Sequence, residues 1–163
     1  MTNIGSPKIE ELNERLKKNM EEIGITEVKP DEMDIIKYCE LIEDNNLIFR
    51  DDSSAIKAGF EGKIIPPGYL MNLTNPLVQE ILTKNGPDLF SNLVKAFIHV
   101  GSEVDFFKPL LMNKKYKIKV ELSEPIEKKG KKGVYCSITF KFSVLDENDD
   151  IYAIDNHICF FRL

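Results

Sequence analysis

Asp44 and Asn46 stand two positions apart in the turn-forming run Asp44-Asn45-Asn46, inside the stretch from Tyr38 to Leu70. A carboxylate held on a tight loop can orient a water molecule and take or give its proton, provided that a second group of matched pKa reaches the same water. Five positions after Asp44 the side chain is Phe49, whose ring moves no proton. Arg50 follows, but a guanidinium stays charged at any useful pH and is no general base. The stretch therefore carries half of an acid/base pair. Taken alone, Asp44 and Asn46 read as a helix stop, because Asp and Asn favour turns.

Pro66-Pro67-Gly68 offers a different kind of group. A backbone N–H in the first turn of a helix, aligned with the helix dipole, stabilises negative charge on an oxygen. The plainer role of the same tripeptide is a turn into a helix, since Pro is common at helix starts. His99 and His157 are the two histidines of the chain. A lone strand histidine is ordinarily a structural hydrogen-bonder. Cys39, Cys136 and Cys159 are odd in number and lie in apolar or strand-like surroundings, which suits buried reduced thiols. Lys128, Lys129, Lys131 and Lys132 flank Gly130 and would suit a grip on phosphates. Charges at a hairpin tip are, however, usually solvated and weakened by salt. Neither a metal nor a cofactor is expected.

The elements that must position these residues follow from periodicity. Ser6-Pro7 starts a helix whose stripe is Ile9, Leu12, Leu16, Met20 and Ile23, ended by Gly24. A second helix is expected from about Asp31, with Ile35, Cys39 and Ile42 on one side, stopping at Asp44. A short helix over 51–58 closes at Gly59, and a further helix runs from Pro67 toward Thr83, with Pro76 expected to kink or shorten it. Beyond Leu93 the period changes to two. Ile98, Val100, Val104 and Phe106 alternate with His99, Glu103 and Asp105. Tyr116 to Leu122, Val134 to Val144 and Ile151 to Leu163 complete four long strands. Turns are expected at Asn113, over Lys128 to Gly133 and over Asp146 to Asp150, so neighbouring strands should be antiparallel.

At 163 residues, 42% hydrophobic and 30% charged, the chain has room for one globular domain. Helices followed by strands give an α+β class, an antiparallel sheet curled around a helix. Residues 1–30 read as a helical extension packed on a single domain over 31–163. The net charge of -5 argues against nucleic acid as the main partner. The amino terminus lacks an apolar signal core and no apolar run approaches a membrane span, so no membrane partner and a cytoplasmic location are expected.

Three segments in register, D-N-N-L-I-F from Asp44, A-I-K-A-G-F from Ala55 and I-I-P-P-G-Y-L from Ile64, resemble the hot-dog-fold MaoC-like dehydratases, most closely their amino-terminal fatty-acid dehydratase type. I-H-V-G-S-E-V-D-F-F-K-P-L, from Ile98 to Leu110, is similar to the strand and Pro-Leu turn of the same group. The resemblance covers roughly Asp31 to the carboxy terminus. It implies a hot-dog fold and an (R)-specific enoyl-CoA hydratase or 3-hydroxyacyl-thioester dehydratase, with a coenzyme A or acyl-carrier-protein thioester as substrate. The family pattern D-x-N-P-x-H places Asp44 at the Asp and Asn46 at the Asn, with Leu47 for the Pro and Phe49 for the His.

The resemblance further implies that Gly68, Tyr69, Phe49 and His99 line a thioester pocket, with the Gly68 N–H facing the thioester oxygen. Asn113-Lys114 replaces the usual Gly-Asp turn, and Asn tolerates the same left-handed backbone. Protomers of this fold usually pair sheet edge to sheet edge with pockets between them. The expectation is therefore a subunit lacking its own catalytic His and completed by a homologous hot-dog partner in a heterodimer. Two alternatives stay open: a non-catalytic acyl-CoA-binding or scaffolding homodimer, and an enzyme in which Asp44 works with His99.

Overall fold

The computed structural model describes residues 6–84, 92–130 and 133–163. Helix α1, Pro7–Ile23, begins at Pro7 after an extended Ser6 and buries Ile9, Leu12 and Leu16. Strand β1, Thr26–Val28, leads to α2, Glu32–Leu41, whose first N–H groups at Met33 and Asp34 are capped by the Asp31 carboxylate. Ile35 and Cys39 face the core, while Ile42, just past the helix, is exposed. A 3-10 turn, Leu47–Phe49, and α3, Asp52–Lys57, follow, with Asp51 capping α3 at Ser54.

A second 3-10 turn, Pro67–Tyr69, opens into α4, Leu70–Thr83. Pro76 lies inside α4 without shortening it. Its missing N–H and ring clash cost about 3 kcal/mol, whereas each buried apolar side chain contributes about 1.5–3 kcal/mol. Leu70, Leu77, Val78, Ile81 and Leu82 are all buried, so packing outweighs the local defect. Asn19 of α1 donates to the Ile81 carbonyl of α4 at 2.8 Å, tying the first helix to the same core.

The strands are β2 (Ala96–Phe106), β3 (Tyr116–Leu122), β4 (Ile126–Gly130), β5 (Gly133–Leu145) and β6 (Ile151–Arg162). They form one antiparallel sheet in the order β1-β3-β5-β6-β2, with β4 also paired to β5. Alternation on β5 is as the period requires: Cys136, Ile138, Phe140, Phe142 and Val144 are fully buried. Asn113 adopts φ 65°, the left-handed backbone expected of it.

Two sequence expectations are corrected. Lys128 to Gly130 are not a turn but part of β4, paired with Gly133 to Tyr135 of β5; Lys131 and Lys132 lie outside the described residues. On β2 the register shifts between His99 and Gly101, which leaves Val100 as an extra residue. A one-residue insertion inverts the faces on one side of it. Ile98 and Val100, expected inside, are 57% and 50% exposed. His99 pairs with buried Cys159, and Ser102 with buried His157, so both side chains belong to the inner face.

Candidate functional site

The Asp44 turn is built by the end of α2. Glu43 takes a positive φ of 57°, and the Asp44 N–H then closes back on the Cys39 carbonyl at 2.8 Å. Asp44 Oδ1 accepts from the Asn46 N–H at 3.0 Å, and Asn46 Oδ1 accepts from the Ile48 N–H at 3.2 Å. Both side chains thus satisfy their own backbone, as short polar residues in turns do. Asp44 is half-buried and Asn46 exposed. Arg50 points back and donates to the Asp44 carbonyl at 3.2 Å. Phe49 turns the other way, 6% exposed, into the hydrophobic core.

Gly68 is the second residue of its 3-10 turn, where N–H groups have no acceptor within the helix, and it is exposed. A Cβ at Gly68 would overlap the Tyr38 hydroxyl, so glycine leaves the room that the end of this ring occupies. The Tyr38 ring meets Tyr69 edge-on, with centroids 5.3 Å apart. Tyr69 is buried, and burial, reinforced by Asp34 and Asp31, pushes its phenol pKa up. Its hydroxyl therefore stays protonated. Beside the turn lies an apolar groove of about 290 Å3 walled by Ile65, Pro67, Phe106, Phe107 and Leu110, with Lys108 among its lining residues. One helix thus organises both halves of this region: Tyr38 of α2 touches Gly68, and the end of α2 sets Asp44.

A second polar site sits further along α4. The His99 and His157 rings stack with centroids 3.7 Å apart and 5° between planes. Ser102 Oγ lies 3.3 Å from His99 Nε2 and 3.3 Å from His157 Nδ1. His157 Nδ1 is 3.9 Å from Asp155 Oδ2, which also accepts from the Thr74 hydroxyl at 2.9 Å. Asp155 is fully buried, and its Oδ1 has no hydrogen-bond partner among the described residues.

Burial pushes the Asp155 carboxyl up, offset in part by the Thr74 and Ser102 hydroxyls and by His99. Burial, helped by the charge of His99, holds His157 down to about 4. At neutral pH His157 is an uncharged ring. Burial also raises the Cys159 thiol to about 12, so it remains protonated.

The structure brings His99 and His157 together, which their separation in sequence concealed. It does not bring His99 to Asp44: no hydrogen bond or ring contact among the described residues joins them. Ser102, Asp155 and Thr74 went unread in the sequence. A signal was present, since Asp155 and His157 share the strand face of Ala153, Cys159 and Phe161, all apolar and fully buried. Lys128 rests over the Phe160 ring at 5.0 Å. Among the described residues there is no cluster of His, Cys, Asp and Glu that could hold a metal ion, and no helix is long and apolar enough to cross a membrane.

No family model and no curated protein matches the sequence. In three dimensions the chain is similar to a structure of the ChsH1-ChsH2 complex from Mycobacterium tuberculosis, with a TM-score of 0.68 and 19% identity over 93% of this chain and 95% of that one. It is likewise similar to the (R)-hydratase from A. caviae involved in PHA biosynthesis, with a TM-score of 0.62 and 17% identity over 83% of this chain and 90% of that one. A MaoC-like dehydratase from Rhodospirillum rubrum gives a TM-score of 0.59 and 12% identity, covering 86% and 90% of the two chains. What these proteins share with this chain is the hot-dog fold, the curled sheet around α4 that the sequence pattern implied.

Proposed function

We propose that this chain is an acyl-thioester-binding subunit of a hot-dog hydratase or dehydratase assembly, completed by a second hot-dog chain that supplies the catalytic base. The observation that carries this reading is the exposed Gly68 turn beside an apolar groove, combined with Phe49 buried where the resemblance places a histidine. When a thioester α-carbon gains or loses a proton, negative charge develops on its carbonyl oxygen. An N–H at the start of α4, aligned with the dipole, meets that charge. The groove residues Phe106, Phe107 and Pro67 exclude water from the acyl group. Hydration then needs one base to take a proton from water as its oxygen bonds to the β-carbon, while a proton is delivered to the α-carbon. The partner's Asp and His hold that water and move both protons, while this chain shapes the acyl tunnel.

A partner fits the sheet geometry. β2 ends the strand order and, among the described residues, nothing pairs with its outer edge. It is long for an unprotected edge and exposes Ile98, Val100 and Phe106, with Phe107 just beyond it. Edge pairing with a second hot-dog chain covers both the backbone groups and these side chains. The ligand is a coenzyme A or acyl-carrier-protein thioester, and no cofactor is required.

A second reading, a non-catalytic acyl-CoA-binding homodimer, is favoured by one observation. Asp44 and Asn46 already use their oxygens within their own turn. Hydration of a short enoyl-CoA by the purified chain, alone and with a hot-dog chain carrying D-x-N-P-x-H, separates the two. The subunit reading expects activity in the mixture well above that of the partner chain alone. A stable homodimer that binds the thioester but leaves the partner's activity unchanged supports the second reading. Robust activity of this chain alone, abolished by Asp44→Ala, overturns both.

A further inference from the structure

Between α4 and β2 lies a cleft of about 360 Å3, within the usual size of small-molecule sites. Val78, Leu82 and Phe97 give it apolar walls, while His99 and His157 present polar atoms at one side. The bulge at Val100 is what puts His99 and Ser102, three residues apart, on the same inner face. Behind them Thr74 donates to the buried Asp155 at 2.9 Å, and that carboxyl lies 3.9 Å from the His157 ring. His99 is exposed and its Nε2 lies 3.3 Å from Ser102 Oγ, so a plain hydrocarbon over this ring would displace water and return no hydrogen bond.

Position along α4 decides what the cluster can reach. Thr74 and Val78 lie six and ten residues beyond Gly68, roughly 9–15 Å at the helical rise. A thioester whose carbonyl sits at Gly68 keeps its α and β carbons within two bonds of that point. His99 is too far along to act on them. An extended chain advances roughly 1.2 Å per bond, by analogy with the backbone, so the cluster meets the ligand about 7–12 bonds from the carbonyl.

We propose that this cleft recognises a neutral oxygen, hydroxyl or keto, on the distal part of the acyl chain, with His99 as its hydrogen-bonding partner and Ser102 orienting the ring. The inference rests on the thioester reading above and deepens it, naming the substrate class as oxygenated acyl thioesters. An anionic substituent would face the Asp155 carboxyl, and an ammonium would face two imidazoles. A hydroxyl or keto oxygen satisfies the His99 ring without adding charge beside the buried Asp155 and His157.

Isothermal titration of the full-length chain with dodecanoyl-CoA, 10-hydroxydodecanoyl-CoA and 10-oxododecanoyl-CoA tests it. The oxygenated chains should bind roughly tenfold tighter than dodecanoyl-CoA, the effect of about one net hydrogen bond. His99→Phe should bring the three ligands to equal affinity, and Ser102→Ala should shrink the preference. A preference confined to the hydroxyl or to the keto chain supports the site and shows whether His99 accepts or donates. Equal binding of all three by the unaltered chain, or a preference that survives His99→Phe, overturns this inference and leaves the thioester reading standing. Failure of all three to bind overturns the thioester reading and this one with it.

Discussion

At the end of α2, Asp44 and Asn46 lie toward solvent and each gives an acceptor to a backbone N–H of its own turn. In the middle of β6, Asp155 and His157 are 0% and 2% exposed, and their partners come from two other elements, Thr74 of α4 and Ser102 of β2. The first region owes its geometry to neighbours within a few residues. The second exists only when sheet and helix are assembled, and burial has shifted both of its titrating groups from their ordinary values. The residue types that look most like chemistry in the chain are locally satisfied, while the perturbed groups are on a strand face that otherwise reads as core. Perturbed groups beside a cleft are candidates for function on physical grounds.

The largest effect that can break this contrast is a pH dependence. Unfolded, His157 takes up a proton near its ordinary pKa of 6.5; folded, burial holds it neutral down to about 4. Acidification through that window protonates the unfolded chain preferentially and removes stability, by up to about 3 kcal/mol at the lower end. Asp155 works in the opposite direction. Its raised folded pKa favours the fold at low pH, and that contribution is lost as pH rises from the unfolded to the folded value. Denaturant midpoints measured between pH 4 and 7 should therefore show a flatter acid limb for His157→Gln and a steeper one for Asp155→Asn. Unchanged limbs in both variants would mean that the pair is not buried in solution.

Thr74→Val should come next, at about 1–3 kcal/mol near neutral pH. It removes the hydroxyl that reaches Asp155 and leaves a buried carboxyl with one partner fewer. Double substitution with Asp155→Leu should recover most of the loss, since both polar groups are then gone. Chemical denaturation of the three variants checks this.

Asp44→Ala should be the smallest, about 1 kcal/mol or less, because it removes one turn hydrogen bond at the surface. A stability loss as large as that of Thr74→Val would show that the turn is structural in the same sense as the buried cluster.

Much of this was legible because it is local. The helix starts near Asp31 and Asp51, the Pro7 start of α1, the left-handed Asn113 and the inner faces of β3 and β5 each depend on a few adjacent residues. The expected shortening at Pro76 failed because propensity is a local cost of about 3 kcal/mol that five buried side chains of α4 exceed. Lys128 to Gly130 misled because composition suggested a turn, while pairing with β5 decided a strand.

Residue types and periods were enough for the α+β layout, the curled sheet around α4 and the glycine at the start of α4, and the family resemblance for Phe49 in place of a base. That Ile98 and Val100 face outward emerged only on assembly of the sheet, because one bulged residue inverts a strand face and no period announces it. Assembly alone stacked His99 on His157, whose rings belong to β2 and β6, paired although three other strands lie between them in the chain. Contacts of that kind arise from register and packing, and neither is written in the neighbours of either residue.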